Sequence, residues 1–165
     1  MTPAIRAAES AGVAIKVHEY RHDPGNTSYG LEAAQALDLD PERVFKTLLV
    51  KLNGDQRRLA VAVVPVTGQL DLKAMAAACK AKKAEMANPA HAERITGYVV
   101  GGISPVGQKR RLPTVLDATL NSFDTVFVSG GRRGLDIEIT PADLVRLCAA
   151  SVAVLTEGYV YQWLL

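Results

Sequence analysis

VFKTLLVKLNGDQRRLAVAVVPV, residues 44–66, decides the fold. Two β-prone runs, VFKTLLVKL and RRLAVAVVPV, flank NGDQ, and Asn53-Gly54 is a strong turn signal between them. An antiparallel hairpin therefore sits at the centre of the chain. Alternation in the first strand puts Val44, Lys46, Leu48 and Val50 on one face and Phe45, Thr47 and Leu49 on the other. Lys46 thus falls on a face otherwise suited to a core. A lysine there either runs its stem over apolar surface with its head in water, guards an edge strand, or has a functional role that alternation alone does not name.

Outward from the hairpin, helix starts are marked by a cap residue followed by proline. Thr2-Pro3, Asp40-Pro41, Asn88-Pro89 and Thr140-Pro141 each set a side-chain acceptor before a proline suited to the first helical position. The helix from Pro3 turns Ile5 and Ala8 inward and stops near Gly12. VAIKVHEY (13–20) reads as a strand with Val13, Ile15 and Val17 alternating, and LEAAQALDL (31–39) as a helix. LDLKAMAAACKA (70–81) is a helix, and GYVVGG (97–102) holds a strand running into paired glycines. RLPTVLDATL and DTVFVSGG are extended, LDIEI (135–139) is a strand, and the Pro141 helix follows. The mixed order predicts an α+β domain with a curved, mostly antiparallel or mixed sheet, one domain over residues 1–165. The tail EGYVYQWLL (157–165) is apolar and is expected to dock on the body or on a second subunit.

The chain has 165 residues, 48% hydrophobic and 22% charged, a globular profile with no 18-residue apolar run for a membrane span. The N-terminus lacks the layout of a signal peptide, so a cytoplasmic location is expected, with Cys79 and Cys148 as reduced core residues. Net charge is only +2, but the cations cluster: Lys80, Lys82 and Lys83; Lys109, Arg110 and Arg111; Arg132 and Arg133. Such clusters either bind phosphates or sit as solvated loops and helix ends.

Several site types are absent. No phosphate-binding glycine motif, no CxxC, no GxSxG elbow and no zinc spacing among His18, His22 and His91 occur. An enzyme built from this chain is expected to work without metal or organic cofactor. Its tools would be backbone donors, Lys46, hydroxyls and a carboxylate. Gly101-Gly102 and Gly130-Gly131 end predicted strands, where bare N–H groups could hold an oxyanion or where the chain simply bends. Asp136 and Glu138 share one face of LDIEI, and by pattern alone that face is toward solvent.

MTPAI, HEYRHDP, FKTLLV, GYVVGGISPVGQKRR and VSGGRRGLDIEI, in one register from Met1 to about Leu147, resemble the YbaK/EbsC family of aminoacyl-tRNA deacylases. That family is related to the editing insertion domain of bacterial prolyl-tRNA synthetases. The resemblance implies a mixed, barrel-like sheet flanked by helices. It also implies trans-editing: release of cysteine from mischarged proline tRNA, because a proline pocket discriminates poorly against a side chain of similar size.

The resemblance further implies a catalytic set of Lys46, Gly101, Asp136 and Tyr20. Around the substrate it places Thr47, then Gly102, Ile103, Ser104 and Pro105 of the GGISP loop, and Ser129 with Gly130. Lys109, Arg110 and Arg132 are expected tRNA contacts. The implied mechanism is attack by the substrate's own thiol on its ester, leaving as a thiolactone, since a thiol of pKa roughly 8.5 is a far better nucleophile near neutrality than a serine hydroxyl. The implied partners are aminoacyl-tRNA and prolyl-tRNA synthetase, with a monomer or homodimer and no membrane. Two other readings stand beside this one: a deacylase for other small amino acids such as alanine, and a non-catalytic module that binds aminoacyl-tRNA or a synthetase.

Overall fold

The computed structural model describes residues 1–157; the expectation for the apolar tail falls almost wholly outside the described residues. From the N-terminus the chain forms α1 (Pro3–Ser10), β1 (Lys16–Glu19), α2 (Tyr29–Ala36), a 3-10 turn (Pro41–Arg43) and β2 (Phe45–Leu52). There follow β3 (Asp55–Pro65), α3 (Leu72–Ala78), β4 (Ala84–Met86), α4 (Pro89–Thr96) and β5 (Thr114–Asp117). After a second 3-10 turn (Ala118–Ser122) come β6 (Val126–Arg132), β7 (Leu135–Ile139), α5 (Pro141–Cys148) and β8 (Ser151–Ala153).

The caps behave as their chemistry demands. Thr2 accepts from the Ile5 N–H, Asn88 from His91 and Thr140 from Asp143. Asp40 caps only the 3-10 turn, because the chain must extend at once into β2. The start of α3 is fixed by Asp71, which accepts from both Lys73 and Ala74.

The hairpin is the centre of a five-stranded sheet ordered β4-β2-β3-β5-β8. Its two strands pair antiparallel from Phe45↔Pro65 to Lys51↔Leu59. β4 is antiparallel to β2, whereas β5 and β8 run parallel to their neighbours. A second sheet, β1-β7-β6, is wholly antiparallel. Among the described residues a single parallel bridge, Val44↔Phe127, ties the two together. The sheets are mixed as expected, but they meet at this seam without closing, so "barrel" overstates them.

Alternation along the hairpin feeds separate cores. Phe45, Leu49, Leu59, Val61 and Val63 join a core with α1, α4, α5 and the three-stranded sheet. Val50, Leu52, Ala60, Ala62 and Val64 pack under α3. Val44 and Phe127 meet Ala33 and Ala34 of α2. Lys46 lies on the second face, between Val44 and Leu48.

Three local expectations fail. Tyr98–Val100 is not a strand: Gly97 ends α4 in the left-handed region, and the segment continues as turns. β1 begins only at Lys16, and Val17 is 45% exposed, because β1 is an edge strand covered on one side alone. α2 starts two residues early, at Tyr29. The strands β4 and β8 were not anticipated; each has only three residues, too few for alternation to register.

Candidate active site

The site grows from an incomplete strand edge. β4 covers only Val50–Leu52 of β2, and the bridge to β6 lies at Val44. Between them one edge of β2 has no strand beside it among the described residues. Val44's carbonyl accepts from Val66, just past the end of β3. By antiparallel alternation the main chain of Thr47 and Leu49 therefore faces the other way, toward that open edge. Leu49's carbonyl finds the Ala87 N–H there at 2.9 Å. Thr47 opens on a cavity of about 450 Å³.

The cavity gathers residues distant in sequence. Lys46 and Thr47 come from β2, Tyr20 from the end of β1, Gly101 and Ile103 from the loop after α4, Ser129 from β6 and Asp136 from β7. Its mouth carries Leu31 and Met86, 43% and 50% exposed.

Lys46 is half-buried, and the loss of water lowers its ammonium pKa from the usual lysine value. Among the described residues no carboxylate lies within ion-pair distance of it. Asp136 sits opposite Ser129 on one side and His18 on the other. It is 5% exposed, and burial pushes its carboxyl up to about 7. The expectation of a solvent-facing acid is thus corrected: the second sheet is folded against the hairpin, and the polar face of LDIEI at Asp136 looks into the cavity. Tyr20 is pushed up to about 12 by burial and then by the Asp136 charge, so its phenol stays protonated.

Gly101 is held by its neighbours. Its φ is +87°, and a Cβ there would lie 2.7 Å from the Tyr29 ring, so only glycine fits. The residue before it is fixed at both polar atoms. The Val100 N–H donates to Glu93 Oε2 at 2.7 Å, and the Val100 carbonyl accepts from Arg133 Nε at 2.8 Å. The Arg133 guanidinium also stacks on Tyr29, 4.9 Å from its centroid. In a trans peptide the next N–H points opposite to the carbonyl. Gly101 N–H is therefore turned away from Arg133, and it makes no hydrogen bond among the described residues. Gly102 N–H closes the turn on Val99 at 2.9 Å.

Two hydroxyl-bearing strand residues border the cavity. Ser129 Oγ accepts from Gly131 N–H at 3.1 Å. Thr47 Oγ1 is buried and has no partner. Neither contacts a histidine. The histidines near the rim are engaged with carboxylates: His22 with Glu32 at 2.6 Å and His18 with Glu138 at 3.0 Å.

Other expected site residues lie behind the cavity rather than in it. Ser104 is fully buried and accepts from Val106 N–H. The Pro105 carbonyl accepts from Cys148 Sγ at 3.4 Å. Gly102 abuts the Arg132 backbone, and Gly130 accepts from Thr2 Oγ1. These residues set the loop and the β6–β7 hairpin that carry Gly101 and Ser129. Lys109, Arg110 and Arg132 are away from the lining, and Arg132 faces Glu19 at 3.4 Å.

Sequence reasoning missed Tyr29, Glu93 and Arg133. An aromatic at a helix start beside a glycine-rich loop was the available signal for Tyr29. Glu93 and Arg133 act through main-chain contacts that no spacing reveals. Cys79 and Cys148 are both free, and burial pushes the Cys148 thiol up to about 12. Among the described residues no three acids, histidines or cysteines gather to hold a metal, and no helix is long and apolar enough to cross a membrane.

The sequence profile of the aminoacyl-tRNA editing domain matches residues 23–147. EbsC of Enterococcus faecalis (strain ATCC 700802 / V583), provisionally named a Cys-tRNA(Pro)/Cys-tRNA(Cys) deacylase, is 35% identical over 94% of this chain and 93% of its own. ProXp-y of Escherichia coli (strain K12), named a multifunctional Ser/Thr-tRNA deacylase, is 28% identical over 62% of each chain. A crystal structure provisionally described as a trans-editing enzyme for prolyl-tRNA synthetase superposes with a TM-score of 0.81. It is 29% identical, over 96% of this chain and 99% of that one.

Proposed function

The chain belongs to the aminoacyl-tRNA editing domain family, whose relatives are named tRNA deacylases, and from that premise we propose that it removes cysteine from mischarged Cys-tRNA(Pro). One observation carries the reading: Lys46, the unbonded Gly101 N–H and Asp136 meet in one cavity that offers no serine or cysteine activated by a base.

The missing nucleophile is supplied by the substrate. The cysteine thiol attacks its own ester carbonyl, a C–S bond forms, and the C–O bond to the ribose breaks. The thiol proton ends on the ribose oxygen. The thiolactone leaves and is opened by water. Gly101 N–H holds the carbonyl oxygen as charge develops on it. Asp136, with a pKa of about 7, exists in both forms near neutrality and relays the proton. Lys46 binds the terminal phosphate or ribose, or polarises the ester. Tyr20 donates a hydrogen bond in the same cavity.

This role goes with one domain over residues 1–165, a cytoplasmic location and association with prolyl-tRNA synthetase. Lys109, Arg110 and Arg132 are carried as RNA contacts, Arg132 in competition with Glu19.

A second reading, a deacylase for other small amino acids, is favoured by the name of the Escherichia coli relative. Deacylation of Cys-tRNA(Pro), Ala-tRNA(Pro), Ser-tRNA and Pro-tRNA(Pro) by wild type and Lys46→Ala separates the readings. Fast release of cysteine alone, lost in Lys46→Ala, is expected. Equal release of alanine removes the thiol mechanism. Binding without release of any amino acid makes the chain a binding module.

A further inference from the structure

We propose that the outer end of the β2–β3 hairpin, together with the turn after α3, is a docking surface for the phosphate backbone of the RNA that leads into the cavity. The inference rests on the deacylase reading and names where that substrate lies.

Charge is concentrated there. Residues 51–58 and 80–85 hold Lys51, Arg57, Arg58, Lys80, Lys82 and Lys83 against Asp55 and Glu85, so six cations less two anions leave +4. The whole chain is +2, so everything else sums to −2. The two segments are one surface. Asn53 at the hairpin turn accepts from the N–H groups of Lys82 and Lys83, at 2.8 and 3.2 Å, and donates to the Lys83 carbonyl. Lys51 is the strand partner of Glu85.

Little of this charge is neutralised within the protein. Arg57 faces Asp55 and Lys83 faces Glu85, both at 3.4 Å. Arg58, Lys80 and Lys82 are exposed and enter no ion pair among the described residues. Of the other basic clusters, Arg132 faces Glu19 and Arg133 is tied to Val100 and Tyr29. Lys109, Arg110 and Arg111 are exposed and without an ion pair among the described residues, but they have no strand leading from them to the cavity mouth.

Position gives the direction. β4 links the patch to the cavity: Lys83 precedes the strand and Met86, at its end, lines the mouth. At roughly 3.3 Å per strand residue the separation is about 10 Å. At roughly 3.4 Å per stacked nucleotide that is about three nucleotides. An RNA whose 3′ end enters the cavity would lay its next phosphates on this patch. No patch residue lines the cavity, so its contribution is to substrate capture and not to chemistry.

The test compares kcat/KM on Cys-tRNA(Pro) with kcat/KM on the small ester 3′-O-cysteinyl adenosine. In the Arg58→Ser/Lys80→Ser/Lys82→Ser variant the ratio of the two is expected to fall 10- to 100-fold. The slope of log affinity for the tRNA against log salt should flatten by about 2, as for three lost single-strand phosphate contacts. Lys82→Glu alone should give a smaller fall in the same ratio. An unchanged ratio and slope overturns the proposal. So does a fall seen only when prolyl-tRNA synthetase is added, which would make the patch a protein contact. If wild type cleaves neither ester, the deacylase reading fails instead, and the salt slope of tRNA binding alone decides the patch.

Discussion

Asp136 is a carboxyl group in a place where its charge is unwelcome. Its pKa in the fold is about 7, against an ordinary value of 3.8, and desolvation is the cause. Such a group favours folding fully below about pH 4 and loses that contribution as pH rises through 7. Asp136→Asn should therefore be more stable than wild type at pH 8, by on the order of 2–4 kcal/mol. The advantage should vanish by pH 4; thermal melts across that range check it. The same substitution should erase the limb near pH 7 in the pH profile of kcat/KM. Lys46→Ala should reduce deacylation at least 100-fold while the fold survives, since only an unpaired, half-buried ammonium is removed. At this scale the sequence was partly legible. The hairpin alternation put Lys46 on an apolar face, which the structure bears out. The same logic put Asp136 toward solvent, because alternation says which residues share a face and not what that face meets.

The loop after α4 shows what an element can do with its main chain. Gly101 offers an N–H, but Glu93 and Arg133 decide where it points. Gly101→Ala would drive a methyl into Tyr29 at a positive φ. A loss of 10²–10³ in kcat/KM is expected, the usual size for one oxyanion donor. Arg133→Ala removes no cavity-lining residue but frees the Val100 carbonyl and so loosens the aim of the Gly101 N–H. It should lower kcat about tenfold with little change in KM, and Arg133→Lys should restore part of it. Steady-state kinetics on Cys-tRNA(Pro) distinguish this from a lost binding contact. Helix starts were legible because a cap and a proline act within a few residues of chain. The supposed strand at Tyr98–Val100 was not, because its β-prone residues obey a helix end at Gly97, a side-chain contact from Glu93 in the preceding helix and a long-range one from Arg133.

Across the whole molecule, function depends on how two sheets meet. Thr47 and Lys46 stand on one, Ser129 and Asp136 on the other, and one backbone bridge joins them. Arg43 reinforces the seam. It donates from Nε and Nη2 to the Thr125 carbonyl, at 3.1 and 3.0 Å, and lies 5.0 Å from the Phe127 centroid. Arg43→Ala should cost about 1–3 kcal/mol, measured by urea unfolding, and should lower deacylation more than a surface change of equal destabilisation. This relation between sheets was hidden in the sequence. The central hairpin was announced by local turn chemistry, whereas the seam joins residues more than eighty positions apart. The family resemblance implied a mixed sheet flanked by helices, but as a barrel rather than two sheets meeting at a seam.

The open stretch of β2 has a cost of another kind. An unpaired strand edge invites a strand from a second molecule, and here it cannot be covered without closing the cavity. Lys46 guards it: any chain laid along that edge would have to bury an unpaired ammonium. By the same physics the residue proposed to serve substrate would oppose the pairing of two copies along this edge. Variants that replace it with an apolar side chain should then cluster on warming while still folded, so an inactive Lys46 mutant has to be shown monodisperse before its silence is assigned to chemistry.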